Sequence, residues 1–350
     1  MADVVFDENY YKTIIKEFRY DPLRFGKIDF NLKTINDREL RARWICHSGA
    51  NKFSEALRKN KKVIVTTGIG MSGPPHVGTL IQILNAIFLQ KNGVSVQVVL
   101  GDLDAYNGKN IPLKTARNLA KKYKEFILSL GLKTERGSIL RDQWNDLKIL
   151  RTMYIGSKYI DDLDFDWVEE DLHKFYATRG KVDEKMTLRR KLSLSLMTAD
   201  FIDLYLSNKY EEVLVVLGID EHKYVLFSQQ VLEKMKRDNV IKNGEMAAMY
   251  TPMNRGFNNY PKMSKSFPDS SVNAEMNYSQ VAHRIIHEEG KYKTPLMSPV
   301  YQMMTSIGEF SITDLEERYN ACESNGRRWL KYKKEFAEII ISIFKKWTQK

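Results

Sequence analysis

The sequence predicts an α/β fold, a doubly wound parallel sheet followed by an all-helical C-terminal domain. Three observations carry this. Short apolar runs rich in β-branched residues (VIVTT from Val63, VSVQVVL from Val94, EEVLVVLG from Glu211) alternate with helical patterns. Parallel strands need such crossovers, so this order builds a parallel sheet. The first run passes at once into a glycine-rich turn, GIGMSG. From about residue 279 the chain reads as helices to its end.

Taken in order, residues 1–60 are charged and aromatic and read as an N-terminal helical extension. Leu40, Trp44, Phe53 and Leu57 fall at helical spacing and should enter the core. The sheet domain is expected over 61–278, with a helical insertion at about 136–210. TLIQILNAIFLQK is apolar nearly all round and should be a buried helix. Asn92-Gly93 stops it. TARNLAKKYKEFILSLG has a clear helical period and ends at Gly131. After the run at Glu211 come a turn and a further helix, and then a turn-rich stretch, MNRGFNNYPKMSKSFPDSSVN. The C-terminal helical domain occupies 279–350. No internal repeat or low-complexity segment interrupts this order.

The 350 residues suffice for two domains, and 43% hydrophobic and 28% charged residues are ordinary for a soluble globular chain. The net charge of +11 favours polyanionic partners, nucleic acid above all. Cys46 and Cys322 lie far apart, with neither metal spacing nor a disulfide framework, which fits a reducing compartment. The N-terminus lacks a signal-peptide pattern, and no apolar run approaches the roughly 20 residues of a membrane span. The expected location is the cytoplasm, with no membrane attachment.

Gly68, Gly70 and Gly73 match the spacing of a dinucleotide-binding turn. Pro74 and Pro75 then sit where that motif's helix should already run, and a helix interior excludes proline. Asp102 and Asp104 also come later than the motif's ribose-binding acid. The helix therefore starts near His76 or Gly78, where free backbone N–H groups face an anion. His76 would stand at the mouth of a phosphate site, and Gly78 would let a ring or ribose approach the backbone. A second motif, PKMSKSFPDSS, interleaves Lys262 and Lys265 with serines. Such a loop can close on a triphosphate and neutralise the charge that grows as pyrophosphate leaves.

Together these stretches are specific. PPHVGT resembles the His-x-Gly-His signature of class I aminoacyl-tRNA synthetases, and KMSKS is that class's second signature without mismatch. Within the class the chain most resembles the tryptophanyl/tyrosyl subclass, nearest the archaeal/eukaryotic tryptophanyl branch. TGIGMSGPPHVGTL, RARWICHSGANKFSEAL, LMTAD at 196–200 and GIDEH at 218–222 carry the likeness. The resemblance implies a Rossmann-like catalytic domain that joins ATP and an amino acid into an aminoacyl-adenylate, with Mg²⁺ assisting. The aminoacyl group would then pass to tRNA, whose anticodon the C-terminal helices would read. It implies catalytic roles for His76, Lys262 and Lys265. ATP would meet Gly68, Gly70, Ser72, Gly78, Thr79, Gly218, Asp220, Met263, Ser264 and Ser266. The amino acid would meet Thr66, Asp102, Asp104, Asp200 and Glu221. No metal-ligating set is expected in the protein itself, and a homodimer is.

Several positions depart from the pattern. Thr79 replaces the second histidine, Phe267 replaces an aspartate, and Glu221 replaces a glutamine. Thr66 stands where a tyrosine is usual, the tryptophanyl glutamine of the second strand falls near Val99, and Asp104 replaces a tyrosyl-type histidine. Tryptophan is the first expected substrate and tyrosine the next. Asp102, Asp104, Asp200 and Glu221 would add negative charge around the amino acid. That points to a substrate with an extra donor or positive charge, or to a modified one. Two alternatives stay open. One is a paralogue activating a non-standard amino acid for biosynthesis; the other is a non-catalytic RNA-binding relative.

Overall fold

The computed structural model describes residues 4–135, 137–207, 209–308 and 310–348. In chain order the strands are β1 (Asp21–Pro22), β2 (Cys46–Ser48), β3 (Val63–Gly70), β4 (Val96–Gly101), β5 (Ile139–Asp142), β6 (Glu212–Gly218) and β7 (Glu245–Thr251). They form one seven-stranded sheet in the order β1-β2-β7-β6-β3-β4-β5. The five strands from β7 to β5 are parallel; β2 and β1 extend the β7 edge antiparallel. The chain builds outward from β3 through β4 to β5, then returns to the other side of β3 for β6 and β7. Strand order thus reverses between β3 and β6, and the connections leaving their C-terminal ends diverge into a crevice.

The helices are α1 (Glu8–Glu17), α2 (Asp37–Arg43), α3 (Ala50–Arg58), α4 (Val77–Lys91), α5 (Asp102–Gly108), α6 (Leu113–Leu130), α7 (Leu147–Ser157), α8 (His173–Ala177), α9 (Leu188–Leu206) and α10 (His222–Arg237). The C-terminal set is α11 (Tyr278–His287), α12 (Pro299–Ile307), α13 (Ile312–Ser324) and α14 (Arg327–Thr348). None of the described helices is long and apolar enough to cross a membrane.

Alternation along the strands builds two cores, one on each face. On β3, Val63, Val65 and Ile69 join the core shared with α4 and α6, while Ile64 joins the core shared with α9 and α10. Leu40, Trp44 and Phe53 are fully buried, as their spacing predicts. Gly131 ends α6 in the left-handed region at φ 111°, a conformation that costs glycine little. The C-terminal helices lean on the sheet domain: the Trp347 ring of α14 meets Tyr123 and Phe126 of α6 edge-on, at centroid separations of 5.0 and 5.4 Å.

The sequence reading missed four strands. The segment 1–60, read as helical, also contributes β1 and β2 to the sheet. The segment 136–210, read as a helical insertion, opens with β5. The stretch before the turn-rich region is β7. The reasons are local. EMAAMYT has no β-branched residue until its last, ILRD is four residues long, and β1 is only two. These strands exist because a neighbour's backbone pairs with them, which propensity does not record.

Candidate active site

The crevice opens where β3 ends. A Cβ added at Gly68 or Gly70 would meet nothing within 4 Å, so both glycines border open space. Two prolines follow, and His76 takes the N-cap of α4 in extended conformation, at φ −107°. Its side chain makes no cap hydrogen bond, which leaves the first-turn N–H groups of α4 without a side-chain acceptor. The helix starts one residue after His76, as the prolines require.

Gly78 has a more specific duty than expected. A Cβ there would lie 2.8 Å from His76 Cε1, so the missing side chain is what admits the imidazole. His76 is buried, and its Nδ1 has no hydrogen-bond partner among the described residues. Burial, then the charges of Lys265 and Lys262, pull it down to about 3. The ring is therefore neutral at physiological pH and keeps one N–H to donate.

The lysine loop reaches this place from the far end of the sheet domain. The Ala274 N–H donates to the Pro75 carbonyl at 3.0 Å, and His76 and Asn273 form a backbone bridge. Lys265 donates to the Gly70 carbonyl at 2.6 Å. Burial pulls Lys265 down to about 7. Lys262 pairs with Asp220, which follows Gly218 at the end of β6, and with Glu170 at 3.4 Å. Burial opposes the charge on Lys262, but the Asp220 and Glu170 carboxylates override it and hold the ammonium well above its ordinary range.

The remaining residues of the loop set its shape. The Met263 N–H donates to the Asn254 carbonyl at 3.1 Å. The Ser264 N–H donates to Ser270 Oγ at 2.8 Å, while Ser264 Oγ accepts the Ser266 N–H at 3.2 Å. Thr79 is buried and its hydroxyl engages Tyr123, whose own hydroxyl donates to the Gly73 carbonyl at 3.0 Å. Ser72 is half-buried in the turn that joins Gly70 to the prolines.

The second half of the crevice lies between β3, β4 and α9. Thr66 pairs with Gln97 across the ladder, and Gln97 Nε2 donates to Thr66 Oγ1 at 2.9 Å and to the Asp200 carbonyl at 3.2 Å. Gln143 Nε2 donates to Asp200 Oδ2 at 2.7 Å. Arg141 holds Asp203 at 2.9 Å and also donates to the Asp200 carbonyl. Two buried oxygens in this cluster, Gln97 Oε1 and Asp200 Oδ1, have no hydrogen-bond partner among the described residues.

Asp102 does not belong to this group. Its Oδ1 accepts the N–H groups of Leu103, Gln143 and Trp144 at 2.9, 3.1 and 3.1 Å. Through Oδ1 it ties β4 to the turn after β5. Asp104 accepts from Ser193 of α9, and burial raises its carboxyl. Burial raises Asp200 to about 8, against the pull of Arg141 and Gln143. Glu221 is raised to about 8 by burial, with Asp220 adding to it. Burial thus opposes the charge on all four carboxyls, and it carries Asp200 and Glu221 far enough, to about 8, that both hold protons at neutral pH; the case for a cationic substrate weakens.

Gln97, Gln143, Arg141 and Glu170 were missed at the sequence level. Gln97 left a trace, being the one long polar side chain inside VSVQVVL. It lies two residues before Val99, and residues two apart share a sheet face. The other three left none, because the contacts that bring them to the site, Gln143 to Asp200, Arg141 to Asp203 and Glu170 to Lys262, span 57, 62 and 92 residues of sequence.

Fold and site together define a nucleotide-type α/β crevice with a histidine at a helix N-terminus and two lysines across from it. The family model of tRNA synthetases class I (W and Y) matches residues 58–345. The chain belongs to this family and is an aminoacyl-tRNA ligase of class I. A tryptophan–tRNA ligase from Methanocaldococcus jannaschii is 22% identical over 317 residues, 87% of this chain and 82% of that one. One from Aeropyrum pernix is 24% identical over 229 residues, 65% of this chain and 57% of the relative. The solved tryptophanyl-tRNA synthetase of Aeropyrum pernix has a TM-score of 0.79 at 19% identity, covering 97% of this chain and 93% of its own. A tyrosyl-tRNA synthetase from Archaeoglobus fulgidus follows with a TM-score of 0.69 at 15% identity, over 89% and 98% of the two chains. At these identities the structural likeness speaks for the fold.

Proposed function

We propose that this protein activates tryptophan with ATP as an enzyme-held adenylate and passes the aminoacyl group to tRNA. The observation that carries the reading is the meeting of a neutral, buried His76 at the N-terminus of α4 with Lys262 and Lys265 at the sheet's switch point. A triphosphate would lie along the free N–H groups of α4, with its base and ribose over Gly68 and Gly70 and toward Gly218 and Asp220. His76 donates a hydrogen bond to the charge that builds on the phosphate under attack. Lys265 and Lys262 exchange their present acceptors for phosphate oxygens as pyrophosphate leaves. Mg²⁺ would arrive on the phosphates, since no cluster of described side chains could hold a metal by itself.

The amino acid would lie between Thr66, Asp104, Asp200 and Glu221. Its ring N–H would meet the free acceptor Gln97 Oε1, because an indole nitrogen is donor only. Relatives that are tryptophan–tRNA ligases support tryptophan ahead of tyrosine. We assign the homodimer interface to the exposed apolar side chains of α7 and the start of α9, where Tyr154 and Leu188 are 81% and 72% exposed.

The test is amino-acid-dependent ATP–pyrophosphate exchange with all common amino acids, then charging of total tRNA. Tryptophan should drive exchange, and the double variant His76→Ala with Lys265→Ala should lose about 10²–10³-fold or more. Exchange with a non-standard amino acid and no charging would favour the biosynthetic paralogue. Equal silence of wild type and double variant would end the catalytic reading.

A further inference from the structure

A cavity of 1110 Å³ lies outside the crevice. Most of its wall comes from the N-terminal segment with α1, the loop 252–261 that leads into the lysine loop, and residues 294–306 with α12; Arg24 and Phe25, α2 and α8 add to it. None of the expected site residues lines it. Its size is at the upper end for small-molecule sites, typically about 300–1,000 Å³.

Its chemistry is uneven. The Arg24 side chain opens on the cavity and makes no hydrogen bond or ion pair among the described residues. Burial pulls its guanidinium below the ordinary value, with Tyr11, Glu8 and Tyr301 pulling weakly the other way. Arg255, also in the wall, spends one side-chain donor on Asn259 at 3.2 Å. The acids in the wall are engaged elsewhere. Asp7 accepts the Tyr10 N–H as the cap of α1, Glu8 pairs with Lys12 at 3.3 Å, and Asp269 faces Arg284 at 3.9 Å. Two further arginines in the wall are engaged already, Arg41 with Asp37 at 3.8 Å and Arg179 with the Phe175 carbonyl at 3.1 Å, and the wall also carries the rings of Tyr11, Phe25, Tyr260 and Tyr301. Arg24 is half-buried, and a guanidinium facing a cavity with no acceptor of its own among the described residues is the group that best matches carboxylate or phosphate oxygens two at a time.

We propose that this cavity is a second ligand site, separate from the crevice, for a small anion carrying a flat ring. Arg24 and Arg255 take the anionic group and the aromatic wall takes the ring. The shared chemistry could come from a nucleoside monophosphate or from an aromatic carboxylate. The site borders the catalytic loop directly: Asn254 in its wall accepts from Met263 through its carbonyl and from Ser306 at 3.0 Å through its side chain.

Calorimetric titration tests this with two probes, uridine 5′-monophosphate and 2-naphthoate, on wild type, Arg24→Leu and His76→Ala. At least one probe should bind wild type and His76→Ala alike and bind Arg24→Leu at least roughly tenfold more weakly. Which probe binds identifies the anion, phosphate or carboxylate. No binding of either probe at millimolar concentration overturns the proposal. So does binding that is lost with His76→Ala and kept with Arg24→Leu. Should Arg24→Leu not fold, Arg24→Lys and Arg255→Gln take its place. Each should lose affinity several-fold, and unchanged affinity in both overturns the site.

Discussion

Asp200 is a carboxyl placed where its charged form is expensive. Burial raises it to about 8, while an unfolded aspartate titrates near 3.9. Between these values the folded chain holds a proton that the unfolded chain has lost. Its contribution to stability is therefore present in full below about pH 4 and is lost as the pH rises through about 8. Asp200→Asn keeps the shape and removes the titration. Compared with wild type, the variant should gain stability steadily from pH 4 to pH 8, reaching about 1–3 kcal/mol, by denaturant unfolding of the unliganded protein. A loss that is the same at every pH would mean that the carboxylate is charged and paired with Arg141. Lys265 poses the mirror case. Pulled down to about 7, it carries its charge only in part at neutral pH. The kcat/KM for ATP, which reports the free enzyme, should fall above about pH 7. Lys265→Arg stays charged and should move that fall upward, with a peak rate about tenfold lower. A basic limb unmoved by this change would take Lys265 out of the rate.

At the scale of elements, most of the crevice follows from how helices begin. Pro74 and Pro75 forbid an early start for α4, so the helix opens at Val77 with His76 at its N-cap. Gly78 then leaves room for the ring to lie back against the helix. This much was readable from residues 68–80, because the constraints act within one turn. The lysine loop was readable as a motif, but not its contacts. That Lys265 rests on the Gly70 carbonyl and Lys262 on Asp220 depends on β7 delivering the loop beside β6. The exposed side chains of α7 and the start of α9 make their own prediction. Replacing Tyr154 with Asp and Leu188 with Lys should halve the mass measured by light scattering, toward the 40.8 kDa of one chain. An unchanged mass would move the dimer interface elsewhere or remove it.

For the whole molecule, the balance of 55 basic and 44 acidic residues should govern the encounter with tRNA. Phosphate contacts release counterions, so affinity should drop by roughly tenfold or more between 50 and 200 mM salt, measured by filter binding with total tRNA. Affinity insensitive to salt would remove the charge surplus from the recognition. The docking of α14 on α6 through Trp347 links the C-terminal helices to the catalytic sheet. A tRNA held by both parts would therefore meet a single packed surface.

The sequence by itself determined the alternation of strands and helices, the glycine turn, the start of α4 and the identity of both signature loops. Each of these rests on residues within a few positions of one another, where sterics and backbone hydrogen bonding decide. Tertiary structure alone decided which side chains face the crevice and in what charge state. It spent Asp102 on three backbone donors, brought Gln97 beside Thr66 and Asp200, and kept protons on buried carboxyls. It also decided the strands that propensity could not show, β5 and β7 among them. Burial and pairing are properties of neighbours in space, and those neighbours lie tens to hundreds of residues apart along the chain.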